Sequence, residues 1–198
     1  MSGIVIIGAG HAGVQLAASL RDAKFMDSIR LVSDDPDFPY HKPPLSKSFM
    51  AAEDKALQPL RGEAFFTQNN IDLNLGVEVT KIGRADKCVV CADGATISYD
   101  RLVIATGTSA RKIQVPGADL PQVFELRTAT DARAMRSALP DMKNVVVNGG
   151  GFASATNWPI ICLSAIISPL LYRSIAWRNL PPHSCFVEQN SRHLKDIP

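Results

Sequence analysis

Gly8-Ala9-Gly10-His11-Ala12-Gly13 places three glycines at G-x-G-x-x-G spacing, directly after a β-branched run and at the mouth of a segment with helical periodicity. In that setting the motif acts through its backbone on a dinucleotide. Gly8 permits a tight turn, Gly10 lets the main chain approach a pyrophosphate, and Gly13 allows the following helix to pack closely on the strand. The phosphates then meet the helix N-terminus, where unpaired N–H groups and the helix dipole favour anions. After a second apolar run come Asp34 and Asp35. At this spacing a carboxylate accepts hydrogen bonds from ribose hydroxyls and disfavours a 2'-phosphate. The bland reading is a glycine-rich turn with solvated aspartates, and the combined spacing argues against it.

The elements needed to hold these residues are legible around them. Residues 3–7 are apolar almost throughout, as suits a parallel strand covered on both faces. Residues 12–23 carry Leu16 and Leu20 one turn apart, with Arg21, Asp22 and Lys24 at the end, which predicts a helix with one buried stripe. Residues 29–32 form a second expected strand, completing the βαβ unit of a doubly wound sheet. Pro36, Pro39, Pro43 and Pro44 then exclude regular helix or central strand, so an ordered loop or extended segment is expected. Further strands are predicted over 71–75, 77–82, 87–92, 96–99 and 102–105, with Asp93-Gly94 as a hairpin turn. A helix beginning near Thr130 and closed by Pro140 precedes a buried strand at 144–147, which enters a second glycine cluster, Gly149-Gly150-Gly151.

A lone βαβ unit does not separate FAD from NAD. Two further segments do: Pro39-Tyr40-His41-Lys42-Pro43-Pro44-Leu45-Ser46-Lys47, and Tyr99-Asp100-Arg101-Leu102-Val103-Ile104-Ala105-Thr106-Gly107. With the glycine cluster after Val147, residues 3–152 resemble the ferredoxin reductase group of FAD- and NAD-dependent oxidoreductases. This is the rubredoxin and putidaredoxin reductase type, within the pyridine nucleotide-disulfide oxidoreductase superfamily. The resemblance implies an α/β, Rossmann-like FAD/NAD(P)-binding fold: a doubly wound parallel sheet with an antiparallel β-meander insertion. It implies FAD as cofactor, NADH as reductant and a ferredoxin or rubredoxin-like iron–sulfur protein as acceptor.

Position by position, the resemblance implies that Gly8, Gly10, Ala12 and Gly13 cradle the FAD pyrophosphate while Asp34, helped by Asp35, holds the adenosine ribose. Val79 would offer backbone contacts on the adenine side, Thr106 and Gly107 would lie against the cofactor, and Arg127 would add a contact. Lys47 would approach the flavin as the catalytic cation, stabilising negative charge on the reduced ring. Its bland alternative is a solvated lysine closing a loop. A sister group with a redox disulfide would carry a cysteine pair near residues 43–47. None stands there, which favours electron transfer over disulfide reduction.

Other features name no partner. The formal net charge is +2, with 46% hydrophobic and 20% charged residues, which is ordinary for a soluble chain and gives no strong field for nucleic acid or anionic lipid. Four cysteines do not make a secreted disulfide framework, and the apolar run at 4–7 is too short for a signal-peptide core, so a cytoplasmic setting is expected. Cys88 and Cys91 form C-x-x-C, but on a strand positions three apart point to opposite faces, which favours ordinary strand cysteines over a redox pair; no second pair at zinc spacing supports a metal site. His11 reads as a variable loop position rather than a proton donor.

Beyond Phe152 the pattern changes. Ser154 stands where a third glycine would close the second motif, Pro159 falls in the first turns of the helix that should follow, and Pro169 would break its continuation. No second strand with a ribose-binding acid is expected there. The division is therefore 1–110, the first segment of an FAD-binding domain; 111–152, the start of an NAD-binding domain with a degenerate site at Gly149 and Gly151; and 153–198, an atypical tail without an evolved fold. The expectation is a truncated chain, impaired as a reductase. Set against it are a non-catalytic dinucleotide-binding remnant and, from the βαβ unit alone, an ordinary NAD dehydrogenase. A membrane segment over 158–177 is opposed by its prolines, serines and Arg173.

Overall fold

The computed structural model describes residues 3–51, 56–110, 112, 114–141, 144–148 and 184–188. They divide between two compact units, Met1–His41 with Leu57–Thr108, and Lys42–Ala56 with Ser109–Pro198.

In the first unit, strand β1 (Ile4–Ile7) leads through the glycine turn into helix α1 (His11–Asp22) and then strand β2 (Ile29–Ser33). A single-turn 3-10 segment (Pro43–Ser46) and the short helix α2 (Ser48–Ala51) belong to the second unit. The chain returns with helix α3 (Glu63–Gln68), strand β3 (Ile71–Leu75), the strands β4 (Val79–Gly83), β5 (Cys88–Cys91) and β6 (Thr96–Ser98), and strand β7 (Arg101–Ile104). The main sheet is wholly parallel in the order β3-β2-β1-β7, with Ile7 in register with both Val32 and Ile104. Strands β4, β5 and β6 form a separate antiparallel sheet.

The unbroken apolar character of β1 follows from burial on both faces. Ile4 and Ile6 pack with Val14 and Ala17 of α1, with Ile29 and Leu31 of β2, and with Phe66 and Ile71. The alternate residue Val5 joins Val32 of β2 with Val89, Cys91, Ile97 and Tyr99 of the antiparallel insertion. The α/β fold with a parallel sheet and a three-stranded antiparallel insertion is thus as expected, although 71–75 extends the parallel sheet. The Asp93-Gly94 turn is present: Gly94 has φ +85°, and Asp93 Oδ1 accepts from the Ala95 N–H at 2.9 Å.

The Pro-rich stretch is partly helical, a departure from the expected loop or extended segment. Its start is extended, with Tyr40 bridged to Pro59 and His41 donating to the Gln58 carbonyl at 2.8 Å. Pro43 and Pro44 then open the 3-10 turn, where a missing N–H and a fixed φ cost nothing because first-turn donors have no intrahelical partner.

In the second unit, strand β8 (Val123–Glu125) precedes helix α4 (Ala129–Ala138), a 3-10 turn (Leu139–Asp141), and strands β9 (Asn144–Asn148) and β10 (Ser184–Glu188). The sheet is parallel, ordered β8-β10-β9. The sequence reading expected no second strand with a ribose-binding acid past residue 152; β10 stands there, parallel to β9 and ending at Glu188. The pentapeptide Ser184-Cys185-Phe186-Val187-Glu188 has the aromatic and β-branched content that strands favour, and the prolines around it masked that signal. Residues 149–183, including Gly149, Gly151, Ser154 and the stretch 158–177 weighed as a membrane segment, lie outside the described residues. Among the described residues no helix is long and apolar enough to cross a membrane.

Candidate functional site

The carboxyl ends of β1, β2 and β7 meet at the glycine turn. Gly8 has φ +110°, its N–H donates to the Val32 carbonyl at 2.7 Å, and the Ile7 carbonyl accepts from Ala105 N–H at 2.7 Å. A Cβ on Gly8 would collide with the Ala105 carbonyl and one on Gly13 with the Gly8 carbonyl. These two glycines are therefore demanded by the protein's own packing. Gly10 differs: a Cβ there would meet nothing within 4 Å. It is the N-cap of α1, has no side chain to satisfy the first-turn N–H groups, and no acidic residue occupies that turn. Open space beside the N-cap of a twelve-residue helix that has no side-chain cap and no acid in its first turn fits a diphosphate, and so a dinucleotide. Ala12 is exposed on the same turn.

The two aspartates after β2 separate by environment. Asp35 accepts from Tyr40 OH at 2.8 Å and from the Asp37 N–H at 3.1 Å, so its carboxylate is occupied by the loop it anchors. Asp34 is exposed. It makes no side-chain hydrogen bond among the described residues and is the member of the pair open to a ligand. The Ser33 carbonyl accepts from Val77 N–H at 2.8 Å and the Asp35 carbonyl from Gly76 N–H, which brings the chain leading into Val79 beside this end of the sheet. Thr106 and Gly107 follow β7, with the Thr106 nitrogen close to Gly8 and Gly107 at φ +72°. The first unit thus gathers Gly8, Gly10, Ala12, Gly13, Asp34, Asp35, Val79, Thr106 and Gly107.

Lys47 and Arg127 belong to the second unit. Lys47 is exposed between the 3-10 turn and α2, its N–H donating to the Pro44 carbonyl at 2.9 Å and its carbonyl accepting from Met50 N–H at 3.1 Å. Arg127 precedes the capping box of α4, where Asp131 Oδ2 accepts from the N–H groups of Arg127 and Thr128, and Thr128 Oγ1 accepts from Asp131 N–H.

Sequence reasoning missed two contacts. His11 is not an isolated loop residue: its Nε2 lies 3.1 Å from His41 Nδ1, with the rings edge to face, tying the Pro-rich segment to the start of α1. Tyr40, the residue that engages Asp35, is almost fully buried, and an aromatic residue between prolines was the only signal for it. On β5 burial alternates, so Cys91 faces inward with Val89 while Cys88 lies on the opposite face; both are free thiols. Burial, and less strongly Asp93, pushes the Cys91 thiol pKa up and keeps it protonated.

Residues 2–155 match the family described as pyridine nucleotide-disulphide oxidoreductase. The chain belongs to that family. Within it, the chain is similar to rubredoxin-NAD(+) reductase of Pseudomonas putida, 42% identical over 149 residues that make up 75% of this chain and 39% of the relative. It is also similar to rhodocoxin reductase of Rhodococcus erythropolis, 42% identical over 75% of this chain and 35% of the relative. Among solved structures, a ferredoxin reductase of Rhodopseudomonas palustris superposes with a TM-score of 0.73 at 40% identity, covering 77% of this chain and 38% of that one. The reductase of a covalent putidaredoxin reductase–putidaredoxin complex gives 0.63 at 36% identity, covering 74% and 36%. The chain therefore spans 35–39% of the length of the two curated relatives.

Proposed function

We propose that this chain binds FAD and serves a reductase that moves electrons from NADH through FAD to a small iron–sulfur protein of the ferredoxin or rubredoxin kind. The observation that carries the reading is the α1 N-terminus at Gly10, uncapped by any side chain, open above, and flanked by an exposed acid at the end of the neighbouring strand. Residues 1–110 act as the first segment of an FAD-binding domain and 111–152 as the start of an NAD-binding domain. The names of the similar proteins, rubredoxin reductase and a putidaredoxin reductase held to putidaredoxin, support the class of acceptor.

Gly8, Gly10, Ala12 and Gly13 present backbone donors to the pyrophosphate, and Gly8 and Gly13 hold the turn that aims them. Asp34 grips the ribose hydroxyls, and Asp35 supports it by fixing the loop through Tyr40. Val79 backs the adenine side, Thr106 and Gly107 lie along the cofactor, and Arg127 adds a contact. Lys47 would supply a positive charge to the flavin end of the cofactor. Bound FAD supplies hydride acceptance from NADH and release of electrons one at a time.

Reconstitution of the full chain with FAD, followed by visible spectroscopy under anaerobic conditions, tests this. Retained flavin absorbance that NADH bleaches is the expected result. Retention without bleaching would reduce the chain to a dinucleotide binder, and binding of NADH without flavin would overturn the FAD assignment.

A further inference from the structure

Lys47 sits on a four-residue helix junction, and so short a helix leaves its last carbonyls without intrahelical partners. One of them is met from far along the chain: the Arg136 guanidinium donates through Nη1 to the Phe49 carbonyl, a contact across 87 positions of sequence. The same guanidinium lies over the Phe49 ring, 5.7 Å from its centroid. Phe49 is 3% exposed and Leu45, on the other side of Lys47, is also 3% exposed; Met135, beside Arg136, is fully buried. The residues on both sides of Lys47 are therefore fixed while its own side chain is exposed.

We infer that Arg136 is a positioning residue for Lys47, holding the 3-10 turn and α2 in place so that the lysine presents its ammonium at one fixed point. Arg136 reaches Phe49 through two contacts of one guanidinium, a hydrogen bond to the backbone carbonyl and a cation–π contact with the ring. Lys47 is two residues from Phe49, and its backbone is pinned by bonds to Pro44 and Met50, so displacement of Phe49 displaces Lys47. The role rests on the reading of Lys47 as the cation that serves the flavin. It adds that α4, which the sequence marks only by its caps, controls where that cation stands.

The test uses the full chain and the variants Arg136→Met, Arg136→Lys, Lys47→Met and the double variant Lys47→Met/Arg136→Met. Without FAD, amide exchange in a peptide spanning 45–50 should quicken about tenfold in Arg136→Met, as the loss of one charged hydrogen bond predicts, while β1 and β2 stay unchanged. Arg136→Lys should restore part of the protection. Unchanged exchange at 45–50 overturns the inference. With FAD bound, the ratio of oxidised to reduced flavin against a redox dye should shift about tenfold in Lys47→Met and in the same direction in Arg136→Met, with no further shift in the double variant. A shift in Lys47→Met that Arg136→Met does not share overturns the positioning role and leaves the lysine's role standing. No shift in Lys47→Met overturns the reading of Lys47 itself.

Discussion

At the residue scale the glycine motif contains two different demands. Gly13 exists because helix and turn nearly touch, so Gly13→Ala should cost about 1–3 kcal/mol of stability, the usual price of overpacking, measured by urea unfolding. Gly10 has φ −80°, which alanine adopts freely, and nothing stands near its absent Cβ. Gly10→Ala should therefore unfold at the same urea concentration as the parent, yet bind FAD at least about tenfold more weakly because the methyl occupies the ligand's space. Equal effects of the two substitutions on stability would refute this division. Cys91 provides a second residue-level expectation. Its folded pKa is raised, so its contribution is complete below the unfolded value of 9.0 and is lost as pH rises through the folded value. Unfolding free energy should decline from pH 8 to pH 10 less steeply in Cys91→Ala than in the parent.

At the element scale, what was legible depended on whether a signal is local. The β1, α1, β2 unit announces itself through period and glycine spacing, and the Asp93-Gly94 turn through the positive φ it requires. The division between Asp34 and Asp35 was hidden because it depends on Tyr40 OH folding back from a proline-rich loop, and no period records that. The helix α3 was hidden as well, being a six-residue helix fixed by burial of Phe66. Its anchorage shows another long-range device. Arg21, in the last turn of α1, donates to the carbonyls of Phe25, Asp27, Asn69 and Asn70, clamping the end of one helix to the turn before β3. Sequence alone marks Arg21 as one charge among several at a helix end. Arg21→Met should lower stability by about 3 kcal/mol, given the net worth of hydrogen bonds to a charged group, and should speed amide exchange in β3. A loss within the range of a surface substitution would show that water replaces the guanidinium.

At the scale of the whole molecule, the described residues fall into two compact units, and the residues proposed to hold the cofactor are shared out between them. The glycine turn, Asp34, Val79 and Thr106 share one unit, and Lys47, Arg127 and Arg136 share the other. An ADP molecule, which carries the diphosphate, ribose and adenine but no flavin, should then depend on the first unit alone. Ligand that binds only the folded form stabilises by about 2.7 kcal/mol at a hundredfold excess over its Kd. That increment should appear as slowed amide exchange in β1, α1 and β2. Met135 is fully buried in the second unit, and Met135→Ala should weaken that unit by about 2–5 kcal/mol through the cavity it leaves. If the units are energetically independent, Met135→Ala lowers protection in α4 and leaves the ADP-dependent protection of β1 and β2 intact. If instead the substitution abolishes the effect of ADP, the chain behaves as one cooperative body, and the adenosine half of the site cannot be assigned to the βαβ unit by itself.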